Sequence, residues 1–160
     1  MFDPEPVRVI LEDAVVLEQA RSGDGAGILA LLERSRLPLD GLMDHLATTI
    51  VARQEGRIVG SAALELYQGA ALLRSVAVDP ALQGRGLGCA LTQAALRLAR
   101  ERGVAEVYLL TTTAATFFPK FGFRETSRNA VPEAVKASVE FTMACPASAV
   151  VMRMATSDHG

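Results

Sequence analysis

The stretch LLRSVAVDPALQGRGLGCALTQAALRLARER, residues 72–102, decides the fold. An apolar run closes at Asp79-Pro80, a short segment carries Gly84, Gly86 and Gly88, and an amphipathic segment follows at once. That order reads as strand, glycine-rich turn, helix. Main-chain N–H groups of such a turn converge at the positive end of the helix, a place suited to phosphate. Glycines let the backbone approach an anion without Cβ obstruction, so Gly86 and Gly88 are read as making space.

Downstream of the turn, Leu87, Leu91, Ala94, Ala95 and Leu98 share one helical face, Arg97, Arg100, Glu101 and Arg102 lie away from it, and Gly103 ends the helix. Residues 104–110 form a strand reached by a helical crossover, so it runs parallel to the strand ending at Val78. Residues 113–120 read as a short helix closed by Phe121-Gly122-Phe123, and residues 149–154 as a last strand.

Upstream, two β-rich runs flank Gln54-Glu55-Gly56-Arg57 as a hairpin, and a third strand over 71–78 completes an antiparallel meander. Earlier still, residues 15–21 alternate as a strand. Asp24 caps a helix with Ile28, Leu29, Leu31 and Leu32 on its buried side, and the Leu37-Pro38 step ends it. A second short helix is expected over 39–47. Residues 1–13, with Pro4 and Pro6, read as an irregular lead or an extra edge strand, residues 14–155 as one domain, and residues 156–160 as a disordered tail.

At 160 residues, half of them hydrophobic, the chain suits a single core. A net charge of −2 with no Lys/Arg run argues against nucleic acid as a partner. No apolar stretch approaches the roughly 20 residues that span a bilayer, and the acidic N-terminus is unlike a secretory signal; a cytoplasmic protein with no membrane partner is expected. Two isolated cysteines, Cys89 and Cys145, suit neither a disulfide framework nor a metal site. Cys89 at a helix N-terminus is a nucleophile or, more simply, a small packing residue.

QGRGLG, residues 83–88, matches the Q/R-x-x-G-x-G/A signature of the GNAT superfamily of N-acetyltransferases. VAVDP precedes it, an amphipathic helix follows, and TTTAATFFPKFGF, residues 111–123, is similar to the family's N-x-x-A-x-x-x-Y-x-x-x-G-F element. The resemblance implies an α/β (α+β) fold: a mixed, mostly antiparallel sheet of six to seven strands, flanked by helices and splayed open beside LLRSVAV. It implies acetyl-coenzyme A as acetyl donor. The pantetheine arm would lie along Val76, Ala77 and Val78, and the pyrophosphate on the turn formed by Gln83, Gly84, Arg85, Gly86, Leu87, Gly88 and Cys89. A narrower likeness over about residues 27–152 is to the second subgroup of arsenic-resistance N-acetyltransferases. It implies a small amine acceptor, an arsenical or an amino-acid-like toxicant, and a homodimer. Ordinary amino-acid acetylation and a non-catalytic acyl-coenzyme A sensor are the alternatives.

Acetyl transfer needs a neutral amine, a polarised carbonyl and a proton for the departing thiolate. Where the family often places a tyrosine as proton donor, this chain has Phe118, which packs on the cofactor or in the core. Thr111 replaces the usual asparagine and either meets the pantetheine arm or simply ends a strand. Glu65, and less so Glu140, are the candidate bases. Arg74 interrupts an apolar strand, where an unpaired guanidinium is costly; its partner is either a substrate carboxylate or an internal one. Strand alternation puts Arg74 and Ser75 on opposite faces, so only one of them reaches a given pocket. Arg128 is a second carboxylate-binding candidate, and His45 reads as a surface or packing histidine. No metal ligands are expected.

Overall fold

The computed structural model describes residues 8–10, 14–138 and 149–156. Its core is one mixed sheet in the order β1-β2-β3-β4-β5-β6-β8-β7. The strands are β1 (Arg8–Ile10), β2 (Val16–Gln19), β3 (Thr49–Gln54), β4 (Arg57–Tyr67), β5 (Ala70–Val78), β6 (Glu106–Thr111), β7 (Arg124–Thr126) and β8 (Val150–Ala155). All pairs are antiparallel except β5 with β6. This is the expected splayed architecture, with eight strands among the described residues. One of the additional strands, β1, comes from the lead. The other, β7, is three residues long and mostly exposed, too short to leave an alternation in the sequence.

The helix α1 (Gly25–Arg34) covers one face and α2 (Leu87–Glu101) the other. Ile28, Leu31 and Leu32 of α1 pack with Val51, Ala63 and Ala77. From α2, Leu87, Leu91, Ala95 and Leu98 pack with Ala62, Leu64 and Leu73; each such leucine contributes about 1.5–3 kcal/mol by leaving water. Gly60 in β4 lets α2 come close, since a Cβ there would stand 2.7 Å from Leu91 Cδ1.

Several local expectations are corrected. The segment 39–47 is not an α-helix: Leu42–Thr48 is 3₁₀ and is interrupted at His45, whose backbone is not helical. The segment 113–120 is bends and a turn, followed by a 3₁₀ stretch, Phe118–Phe121. Pro119 falls in the first turn of that stretch, where its missing N–H would have had no helical partner. Asp24 makes no side-chain cap on α1. Its carboxylate takes two bonds from Arg53 and one from the Arg21 N–H instead. Thr156, placed in the tail by sequence, donates its hydroxyl to the Val104 carbonyl at 2.7 Å; residues 157–160 lie outside the described residues, as do Glu140 and Cys145. Among the described residues no helix is long and apolar enough to cross a membrane, and no cluster of His, Cys, Asp and Glu could hold a metal ion.

Candidate functional site

The site begins where β5 and β6 part. Their parallel pairing runs from Ala70 opposite Glu106 to Leu73 opposite Leu109 and stops there. On the other edge of β5 the register passes from Ala63 opposite Arg74 to Ser61 opposite Ala77, so Ser75 and Val76 together face Ala62. This is a β-bulge, with Ser75 at φ 59 and its carbonyl taking a 2.7 Å bond from the Ser61 hydroxyl. Beyond it, no described strand pairs with the β6-facing edge of β5, and its main-chain groups border an open cleft of about 990 Å³. The bulge also overturns the simple alternation expected of Arg74 and Ser75: both line the cleft, and Arg74 Nε donates to Ser75 Oγ at 3.2 Å.

The other wall is the turn before α2. Gly84 and Gly86 stand at φ 83 and 81 with open space where a Cβ would be, whereas Gly88 is not in that region and its Cβ would touch Phe117 at 3.6 Å and Val78 at 3.7 Å. The first two glycines therefore serve conformation, whereas a Cβ at Gly88 would make only ordinary contacts within the chain. The first-turn N–H groups of α2 have no intrahelical acceptor and sit at the positive end of a 15-residue helix. Gln83 Nε2 donates to the Val78 carbonyl at 3.1 Å, tying the turn to the end of β5.

Every expected cofactor residue except Arg85 lines this cleft. Thr111 also accepts a bond from the Ala114 N–H at 2.9 Å, closing the turn after β6. Phe118 is buried and stacks edge-on with Phe117 and Phe123, so it serves the core and the cleft wall together. Sequence reading missed Phe117, which is half-buried in the wall, and Lys120, whose Nζ lies 4.4 Å over the Phe117 ring and 3.8 Å from Cys89 Sγ. It also missed the loop Arg36, Leu37 and Pro38 on the opposite rim.

Glu65 and Arg74 are brought together, but as a buried pair. Glu65 is 1% exposed and Arg74 2%, with Arg74 Nη1 donating to Glu65 Oε2 at 2.9 Å. Arg74 also donates to the carbonyls of Asp40, at 2.6 Å, and Pro38, at 3.2 Å. Of the two partners the sequence allowed, Arg74 therefore has the internal carboxylate. Glu65 further accepts the Tyr67 hydroxyl at 2.6 Å and lies 3.7 Å from His45 Nε2. Burial alone would raise its carboxyl, but bonds from Ser138, Tyr67 and Arg74 and the nearby His45 hold it below the ordinary glutamate value. Burial and the bond to Glu65 push Tyr67 up to about 12. A carboxylate so stabilised and absent from the cleft wall is poorly placed as a base. Arg128 does not line the cleft either; its Nη2 donates to the Ala149 carbonyl at 3.3 Å.

The chain has clear relatives. The acetyltransferase (GNAT) domain family matches residues 45–125. An uncharacterized N-acetyltransferase of Chlorobaculum tepidum is 30% identical over 127 residues, covering 78% of each chain. An amino-acid acetyltransferase of Mycobacterium tuberculosis is 37% identical over 123 residues, 69% of this chain and 68% of that one. The crystal structure of Rv2747 from Mycobacterium tuberculosis, in complex with CoA and NLQ, superposes with a TM-score of 0.74 at 25% identity, over 87% of this chain and 98% of that one.

Proposed function

Since the chain belongs to the GNAT acetyltransferase family and is an acetyl-coenzyme A-dependent N-acetyltransferase, we infer that its acceptor is the amine of a small molecule bearing a carboxylate, an amino acid or a close analogue. One observation carries this reading: the described cleft wall holds cationic side chains and no Asp or Glu. Such a wall suits two anions at once, the phosphates of the donor and the carboxylate of an acceptor. The amino-acid acetyltransferase among the relatives favours an amino acid over an arsenical.

The residues fit the donor in a stated way. The α2 N-terminus and the turn opened by Gly84 and Gly86 offer N–H groups for the diphosphate, and the unpaired edge of β5 at Val76 and Val78 offers main-chain partners for the pantetheine amides. Bound acetyl-coenzyme A supplies an activated thioester. A neutral acceptor nitrogen would attack its carbonyl carbon directly, the C–S bond would break, and the proton lost by the nitrogen would pass through water to the departing thiolate, with no acyl-enzyme. The chain's share is positioning and polarisation of the carbonyl, because Phe118 has no proton to give.

The test is thiol release from acetyl-coenzyme A with amino acids, their carboxamides and simple amines. Turnover confined to carboxylate-bearing amines supports the reading. Donor binding without turnover on any of them would leave a sensor, the alternative that Phe118 favours. The homodimer implied by the resemblance is checked by light scattering.

A further inference from the structure

Three cationic side chains stand on the described cleft wall: Arg36, Arg74 and Lys120. Two are engaged. Arg74 is spent on Glu65 and on the loop carbonyls, and Lys120 lies over Phe117 and against Cys89 at the α2 end. The Arg36 guanidinium has no hydrogen bond or ion pair among the described residues, and its side chain is exposed on the rim.

The backbone under Arg36 singles it out a second time. Helix α1 closes with Leu37 N–H bonded to the Leu32 carbonyl and Arg36 N–H to the Glu33 carbonyl, both near 3.0–3.1 Å. This is the Schellman arrangement, whose penultimate position is left-handed and favours glycine. Helix α2 closes with the same two bonds, from Val104 to Ala99 and from Gly103 to Arg100, and there glycine occupies that position, at φ 75. In α1 the position is Arg36, at φ 57. One chain thus solves the same turn twice, and at the cleft it carries a costlier residue with a free guanidinium.

The loop is also fixed relative to the reacting end of the cleft. Pro38 and Asp40, two and four residues beyond Arg36, give their carbonyls to Arg74, which abuts the bulge where β5 and β6 separate. We propose that Arg36 binds the acceptor's carboxylate and thereby selects amino acids over amines that lack one. Its planar fork suits two-point capture of a carboxylate. This rests on the acetyltransferase reading with a carboxylate-bearing acceptor.

The experiment measures initial rates of the full chain and of Arg36→Gln, Arg36→Lys and Arg36→Gly with an amino acid that the wild type acetylates and with its carboxamide, alongside acetyl-coenzyme A binding by calorimetry. Arg36→Gln is expected to raise KM for the amino acid roughly 10- to 100-fold, the loss of a charge-assisted bond, with carboxamide KM and donor binding unchanged. Arg36→Lys recovers part of the loss. Arg36→Gly is expected to show the same KM defect while its Tm rises, which separates binding from folding. Equal changes with amino acid and carboxamide, or a matching loss of donor affinity, would overturn the assignment. A wild-type preference for the amino acid that Arg36→Gln leaves intact sinks the Arg36 proposal alone; wild-type acetylation of both acceptors without preference sinks the carboxylate-bearing acceptor, and donor binding with no turnover on any amine sinks the enzymatic reading, each taking this proposal with it.

Discussion

The Arg74 guanidinium lies 2.9 Å from Glu65 Oε2, and neither side chain is more than 2% exposed. The pair joins adjacent strands, and Arg74 extends it to the carbonyls of Pro38 and Asp40. It therefore couples the floor of the sheet to the loop at the cleft's rim.

Removing one half of that pair leaves the other charged and buried. Glu65→Leu and Arg74→Met are each expected to lose about 3–5 kcal/mol of stability, and the double variant less than the sum. Urea unfolding of the four proteins checks this; additive losses would mean that the two groups do not support one another.

Stability should fall in acid. Glu65 is held below the ordinary glutamate value of 4.5, and Asp24 below 3.8, the latter chiefly by the bonds from Arg53. Each carboxyl binds its proton more weakly folded than unfolded, so its contribution is complete above the unfolded value and is lost as pH drops through the folded one. Unfolding free energy is expected to be flat from about pH 7 to 5 and then to decline. Asp24→Asn should flatten the decline, and an unchanged slope would count against it.

The rate should report the acceptor rather than the enzyme. With no carboxylate or histidine on the described cleft wall, kcat/KM is expected to rise tenfold per pH unit until the acceptor amine's own pKa. Acceptors of different basicity should shift the profile in step. A breakpoint that stays put across acceptors would reveal a base on the protein.

The glycines of the turn should separate by mechanism. Gly86→Ala forces a left-handed alanine, at about 1–2 kcal/mol, and is expected to lower both Tm and donor affinity. Gly88→Ala meets only ordinary contacts within the chain, so its Tm should hold while donor affinity falls. Calorimetry and thermal melts of both variants check the contrast, and a Gly88→Ala protein with unaltered donor binding would refute it.

The features legible in sequence were those governed by local rules. The hairpin at Glu55-Gly56, the amphipathic face of α2 and the parallel β5–β6 pair each follow from turn chemistry or periodicity. The site's donor half was legible because the glycine turn is contiguous. The half proposed for the acceptor was not, because it is assembled from distant segments. The bulge at Ser75 breaks an alternation that looks intact in the letters, and Arg74 finds Glu65 nine residues away and Pro38 thirty-six residues away. Arg36 left no periodic signal; its mark is a left-handed backbone visible only in three dimensions. For Phe117 and Phe118, adjacent identical letters hide that the first faces the cleft while the second is buried beside it.

Strand β8 lies between β6 and β7, although it follows both in the chain. During synthesis, β6 and β7 therefore emerge with the edges that β8 will cover still open, no earlier described strand occupying them, and those edges stay available to other nascent chains until residues 150–155 leave the ribosome. Slow translation over the preceding stretch should favour aggregation, and supplying that strand as a separate peptide should relieve it.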